Sequence, residues 1–155
     1  MKTTADNNWK IVSEIELIYK SKVKSSERPH ISSSKCAYTI LKDCWDPCKI
    51  EFLEQFKVLL LSQSNTVLGL YEASSGGMSG TVVDIRVLFT AALKARAAGI
   101  IIAHNHPSGG TVPSQPDIMI TRKIAQAGTI LDIKLLDHLI LTAESYYSFA
   151  DEGAL

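Results

Sequence analysis

The chain has 155 residues, 46% of them hydrophobic and 21% charged, with 16 Lys and Arg against 16 Asp and Glu. That length suits one domain able to bury about two thirds of its unfolded surface, and the composition is that of a soluble globular protein rather than a disordered or fibrous one. A formal net charge of zero argues against a protein whose main work is gripping phosphate backbones, although a local basic patch would be invisible in the sum.

Residues 1–8 are polar and are expected to fray. From Trp9 to Tyr19 apolar and polar residues alternate, with Ile11, Ile15, Leu17 and Tyr19 on one face, which reads as a strand. A polar loop follows, mildly basic through Lys20, Lys22, Lys24 and Arg28. A solvated loop is the preferred reading there over a nucleic-acid patch. Ser33 or Ser34 caps a helix running to about Trp45, with Ala37, Tyr38, Ile40, Leu41 and Cys44 on its inner stripe. Pro47 then interrupts.

Two strands flank the turn "SQSN". The first, Phe56 to Leu61, is almost continuously apolar, as a central strand buried on both faces would be. Asp84 opens a helix with Val87, Leu88, Ala91, Ala92 and Ala95 on its packing stripe, and Gly99 is expected to end it. "IIIAH" is a short strand. A helix from about Gln115 to Ala127 is closed by Gly128, and "TILDIKLLDHLILT" supplies one or two more strands. The expectation is therefore a partly flexible N-terminal strand and polar loop over residues 1–34, and a folded domain over 35–155. Its class is α/β or α+β, with one mixed sheet flanked by helices.

No apolar core of a signal peptide occurs in the first 20 residues. The longest apolar runs, "VLLLS" and "GIIIA", are too short to span a bilayer. Three cysteines, Cys36, Cys44 and Cys48, form an odd set without a C-x-x-C spacing, which suits free thiols in a reducing cytoplasm. A zinc site built from Cys44, Cys48 and His30 is conceivable, but idle thiols are the stronger reading.

The chemistry concentrates in "AHNHPSGGTVPSQPD", residues 103–117. His104 and His106 lie where a strand ends. In extended backbone residues i and i+2 point to the same side, so two imidazoles are aimed at one point while Asn105 points away. Asp117, at the start of the next helix, can add an oxygen ligand. Two histidines and one carboxylate make an open zinc site with a position left for water, whose pKa such an ion can pull from about 16 towards 7. A second reading stays open. Ser114 and Asp117 are also a good helix start, with an acid at the third position and Pro116 in the first turn. That explains the serine and the aspartate without a metal, but not two histidines aimed alike beside them.

The residues His104, His106, Ser114 and Asp117 fit the H-x-H-x7-S-x2-D pattern of the JAMM (MPN+, JAB domain) metalloproteases. With "LLDHLILT" and "YYSFADEG" added, the chain resembles the RadC-like branch of that superfamily from about Lys35 onward. The resemblance implies a three-layer, cytidine-deaminase-like MPN architecture. It also implies a zinc hydrolase of peptide or isopeptide bonds, with His104, His106 and Asp117 as ligands. Ser114 would be a donor to the oxyanion, and a glutamate general acid–base would lie on or before a central strand. The segment "EQFKVLLL" assigns that glutamate to Glu54, with Glu51 and Glu72 as alternatives.

Ser108, Gly109 and Gly110 would shape the loop, with Ser108 near substrate. Asp137 and His138 lie on a strand that the resemblance places near the site, where a carboxylate could orient a zinc histidine; a satisfied core pair is the simpler reading. RadC-like proteins often carry an N-terminal helix-hairpin-helix domain, for which these 155 residues are expected to have no room, so that the catalytic-type domain is expected to stand alone. The resemblance brings a DNA-repair association as an alternative role, alongside that of a non-catalytic MPN scaffold. The expected partner is an unidentified peptide or protein substrate, nucleic acid being weakly supported and a membrane not expected. Oligomeric state stays open.

Overall fold

A computed structural model describes residues 12–76 and 82–155. After a short 3-10 turn, Ser25–Glu27, the order is α1 (Ser34–Cys44), β1 (Gln55–Leu61), β2 (Val67–Ser75), α2 (Ile85–Lys94), β3 (Gly99–Asn105), α3 (Gln115–Ile130), β4 (Lys134–Leu141) and β5 (Tyr146–Ser148). The strands form one sheet ordered β2-β1-β3-β4-β5. Only β3 and β4 are parallel, and the other three neighbouring pairs are antiparallel. The sheet is thus mixed, as expected, and helices cover both faces.

Alternation along the strands sorts the core into two layers. Phe56, Val58, Leu60, Ile100 and Ile102 pack with Leu88, Phe89 and Ile124 of α2 and α3. Leu59, Leu61, Ile101 and Ala103 pack on the other face with Ala37 and Leu41 of α1. Every residue of β1 is buried, including Lys57. Its stem crosses the α1 side, its ammonium donates to the Cys44 carbonyl at 3.2 Å, and it lies 4.6 Å from the centre of the Trp45 ring. A long cationic side chain tolerates such a place when its head finds a carbonyl and a π face.

Several sequence readings need correction. Residues 12–19 form no strand, and Ile15 and Leu17 are 85% and 78% exposed. Alternation alone does not make a strand where no neighbour offers ladder partners. Residues 9–11 of that reading lie outside the described residues. Helix α1 is capped by Ser33, which accepts from the Cys36 N–H, but Cys44 is exposed, and Trp45 is the residue that turns inward. In α2, Val87 is exposed and Phe89 buried.

Gly99 does not end α2. It opens β3, and Arg96 takes the left-handed conformation (φ 54°) after the helix. Likewise Gly128 lies inside α3, which runs on to Ile130, with Asp132 left-handed (φ 55°). Gly128 is there for space: a Cβ on it would stand 2.2 Å from the Ile133 carbonyl oxygen.

Candidate metal centre

Strand parity and register assemble the site. In β3, His104 falls on the same face as Ile100 and Ile102, towards α2 and α3. In the antiparallel ladder Phe56 of β1 faces His104, so Glu54, two residues before Phe56, continues the same face at the strand's entrance. Helix α3 begins at Gln115 with Ser114 as its cap, and its first turn brings Asp117 over the end of β3.

One ligand atom each from Glu54, His104, His106 and Asp117 lies within 4.8 Å of all the others. Asp117 Oδ1 is 3.2 Å from His104 Nε2, and its Oδ2 is 3.4 Å from His106 Nε2. The two Nε2 atoms are 2.9 Å apart, and Glu54 Oε1 is 3.9 Å from that of His104. Ligands about 2.0–2.2 Å from a tetrahedral ion stand about 3.3–3.5 Å from one another, so the spacing suits a small divalent metal. Nitrogen and oxygen donors suit zinc and its neighbours. Among the described residues this is the grouping found with at least three such donors, and Cys44, Cys48 and His30 form none. Glu51 and Glu72 are exposed and outside it; Glu72 instead accepts from the Gln55 side chain.

The family model of the RadC-like JAB domain matches residues 31–154. This chain belongs to the RadC-like JAB family. It is similar to a UPF0758 protein of Flavobacterium johnsoniae, 50% identical over 123 residues, which are 79% of this chain and 52% of that one. A UPF0758 protein of Porphyromonas gingivalis is 45% identical over 103 residues, covering 66% of this chain and 45% of that one. UPF0758 protein YfjY of Escherichia coli K12 is 38% identical over 130 residues, 81% of each chain. Apart from YfjY, the chain spans about half the length of these curated relatives. Among the described residues no helix is long and apolar enough to cross a membrane.

In this RadC-like JAB domain the helix-start reading of 114–117 and the metal-site reading coexist. Ser114 Oγ accepts from the Asp117 N–H at 3.2 Å, and Asp117 Oδ2 accepts from the Ser114 N–H at 2.7 Å. The capping box holds the carboxylate rigid, with Oδ1 turned to His104 and Oδ2 shared between the Ser114 N–H and His106. Burial opposes ionisation of Asp117, but the imidazoles of His104 and His106, whenever they are protonated towards it, and the Ser114 N–H outweigh that effect and hold the carboxyl far below the ordinary range. His106 Nδ1 is 2.8 Å from the Gly110 carbonyl. A carbonyl only accepts, so Nδ1 carries the proton and the neutral ring shows a bare Nε2 to the cluster. The Asp117 carboxylate, against an opposing effect of burial, raises the pKa of His106. Gly109, at φ 86°, makes the turn that returns Gly110 to His106, its N–H donating to the His106 carbonyl. Ser108 is exposed at the mouth.

The cluster opens into a groove of about 690 Å³ whose walls include Phe56, Val83, Met119 and Ile120, with Ser108 and Ser114 on its polar side. Three further residues support it from behind. Asn105, fully buried and turned away as strand parity requires, accepts from the Gln55 N–H at 2.7 Å. It donates to the carbonyls of Ile50 and Leu53 at 2.8 Å each. It therefore grips the backbone on both sides of Glu54. His138 of β4 contacts His104 Nδ1 through its Nε2 at 2.8 Å, and Thr121 Oγ1 through its Nδ1 at 2.6 Å. Burial, then the neighbouring His104, holds its pKa well below the ordinary imidazole value.

The Asp137 carboxylate orients no site histidine. Asp137 accepts from Ser148 Oγ and from the N–H groups of His138 and Ala150, and fastens the end of the sheet. Burial raises its pKa, partly offset by the Ser148 hydroxyl. The contact between His138 and His104 depends on a register shift in the β3–β4 ladder between Ile100 and Ile101, which a sequence does not display. Thr121 carries no sequence signal beyond its helical position.

Proposed function

We propose that this domain is a zinc-dependent hydrolase of peptide or isopeptide bonds, in which His104, His106 and Asp117 hold the ion. The observation that carries the reading is the convergence of two imidazole nitrogens and two carboxylates on one point at the floor of an open groove. When bound, such an ion supplies a Lewis acid that polarises a carbonyl and lowers the pKa of water. The chain's own groups supply the rest.

Glu54, at the rim of the cluster, takes a proton from the attacking water and returns it to the leaving nitrogen, so the step closes with no net proton change. Ser114 uses its oxygen lone pair for the cap, which leaves its hydroxyl hydrogen to donate to the oxyanion as the carbonyl becomes tetrahedral. One such donor is worth about 3–4 kcal/mol of barrier. The apolar wall of Val83, Met119 and Ile120 excludes water beside the scissile bond and receives an extended peptide or protein tail.

The test starts with metal content. Elemental analysis of purified protein is expected to give about one zinc per chain, lost in a His104→Ala/His106→Ala double variant. Glu54→Gln is expected to keep the metal and to lose hydrolysis of peptide and isopeptide substrates by about 10²–10⁴-fold. A wild type that holds no metal after zinc loading and dialysis would overturn the reading in favour of a non-catalytic scaffold.

A further inference from the structure

The proton positions behind His104 can be assigned atom by atom. Thr121 Oγ1 lies 2.6 Å from the Asp117 carbonyl oxygen, four residues back in α3. A carbonyl cannot donate, so the single hydroxyl proton of Thr121 goes there, a common local bond for a helical threonine. The same oxygen lies 2.6 Å from His138 Nδ1. Its proton being already committed, it can only accept, and His138 therefore carries its proton on Nδ1. His138 Nε2 is then a bare acceptor 2.8 Å from His104 Nδ1, which must be the donor. The remaining nitrogen of His104, Nε2, is left bare, and it faces Asp117, His106 and Glu54.

We infer that Thr121 and His138 are positioning residues that fix His104 in its Nδ1–H form, so that Nε2 is presented as a ligand. Its use rests on the metal-hydrolase reading above. Reverse any one proton in the relay and His104 would point an N–H into the cluster, where a metal could not bind. The relay runs from the backbone of Asp117 to the ring of His104, so two of the site's donors are held in register through β4. His138 is itself fixed by stacking on Phe149, at 4.6 Å between centroids and 7° between planes. With both Nε2 atoms bare and 2.9 Å apart beside two carboxylates, the cluster lacks a positive charge, which a divalent cation supplies.

The assignment is read directly from long-range proton–nitrogen correlation spectra of ¹⁵N-labelled, metal-free protein at about pH 8, above the ordinary imidazole pKa. The expected result is a protonated Nδ1 and a bare Nε2 on both His104 and His138. A protonated Nε2 on His104 would overturn the inference outright. Thr121→Val removes the hydroxyl at nearly constant shape and is expected to shift the His104 tautomer and to weaken zinc binding by about 10–100-fold in chelator competition. Thr121→Ser, which keeps the hydroxyl, is expected to restore both.

His138→Phe, which can still stack on Phe149, is expected to weaken zinc binding to the same degree, and gives an independent arm should the valine variant not fold. Tight zinc binding by both Thr121→Val and His138→Phe, with the His104 tautomer unchanged, would refute the relay and leave the hydrolase reading intact. The expected tautomers in a wild type that binds no zinc would do the reverse.

Discussion

Asn105 is the residue whose side chain is committed away from the groove, yet it does as much for the site's shape as the histidines beside it. Strand alternation sends His104 and His106 to one face and Asn105 to the other. There its amide makes three hydrogen bonds to the backbone around Glu54. Asn105→Leu has similar volume but leaves the Gln55 N–H and the Ile50 and Leu53 carbonyls without partners in a buried place. Unsatisfied groups of this kind cost about 1–3 kcal/mol each when fully desolvated. The expected loss is about 2–4 kcal/mol, seen as a fall of about 5–15 °C in Tm. Metal stoichiometry should stay at that of the wild type, because His104, His106 and Asp117 stand on other segments. Hydrolysis should drop, because Glu54 is no longer held. A variant with unchanged Tm would show that the amide is not the clamp.

Elements differed in how plainly they could be read. Helix starts were legible, because each announces itself by a polar cap: Ser33, Asp84 and Ser114 each accept from a backbone N–H of the first turn. Helix ends were not. Gly99 and Gly128 looked like stops, but α2 and α3 are followed by the left-handed residues Arg96 and Asp132. A glycine signals either a positive φ or a close approach, and the sequence does not say which. The H-x-H pair was legible because period two is strict in a strand. Thr121 and His138 were not assigned because their contacts cross from α3 to β4 to β3 and depend on a register shift. Gly128→Ala tests the close-approach role. A Cβ would meet the backbone carbonyl of Ile133, which cannot turn aside as a side chain could. Although alanine is the better helix former by about 1 kcal/mol, we expect a net destabilisation of about 2 kcal/mol or more, a drop of at least about 4–8 °C in Tm. A rise in Tm would mean that the turn into β4 relaxes at no cost.

For the molecule as a whole, the proposed metal site would link stability to both protons and metal. Without metal, a proton on His106 is the available counter-charge, and the Asp117 carboxylate raises that pKa above the ordinary 6.5. A group whose folded pKa is raised contributes stability that is fully present below its unfolded value and lost as pH rises through its folded value. The chelated protein should therefore be less stable at about pH 8 than at about pH 6. Asp117 acts in the other sense. Its folded pKa is depressed, so its contribution is present above about pH 4 and lost on further acidification. On the metal-hydrolase reading, bound metal should reverse the slope near neutrality. It needs a bare Nε2 on His106, so protons compete with it, and its stabilisation grows as pH rises through the same window. At a free zinc concentration about 100-fold above Kd that stabilisation is about 2.7 kcal/mol. Scanning calorimetry with chelator and with zinc should give two Tm curves that meet on the acid side and separate towards about pH 8. In the His106→Ala variant the chelated curve should lose its fall above about pH 6.5, and zinc should no longer lift it. Curves that stay parallel across that range in the wild type would mean that the proton and the ion do not share His106, and that the cluster is not the metal's site.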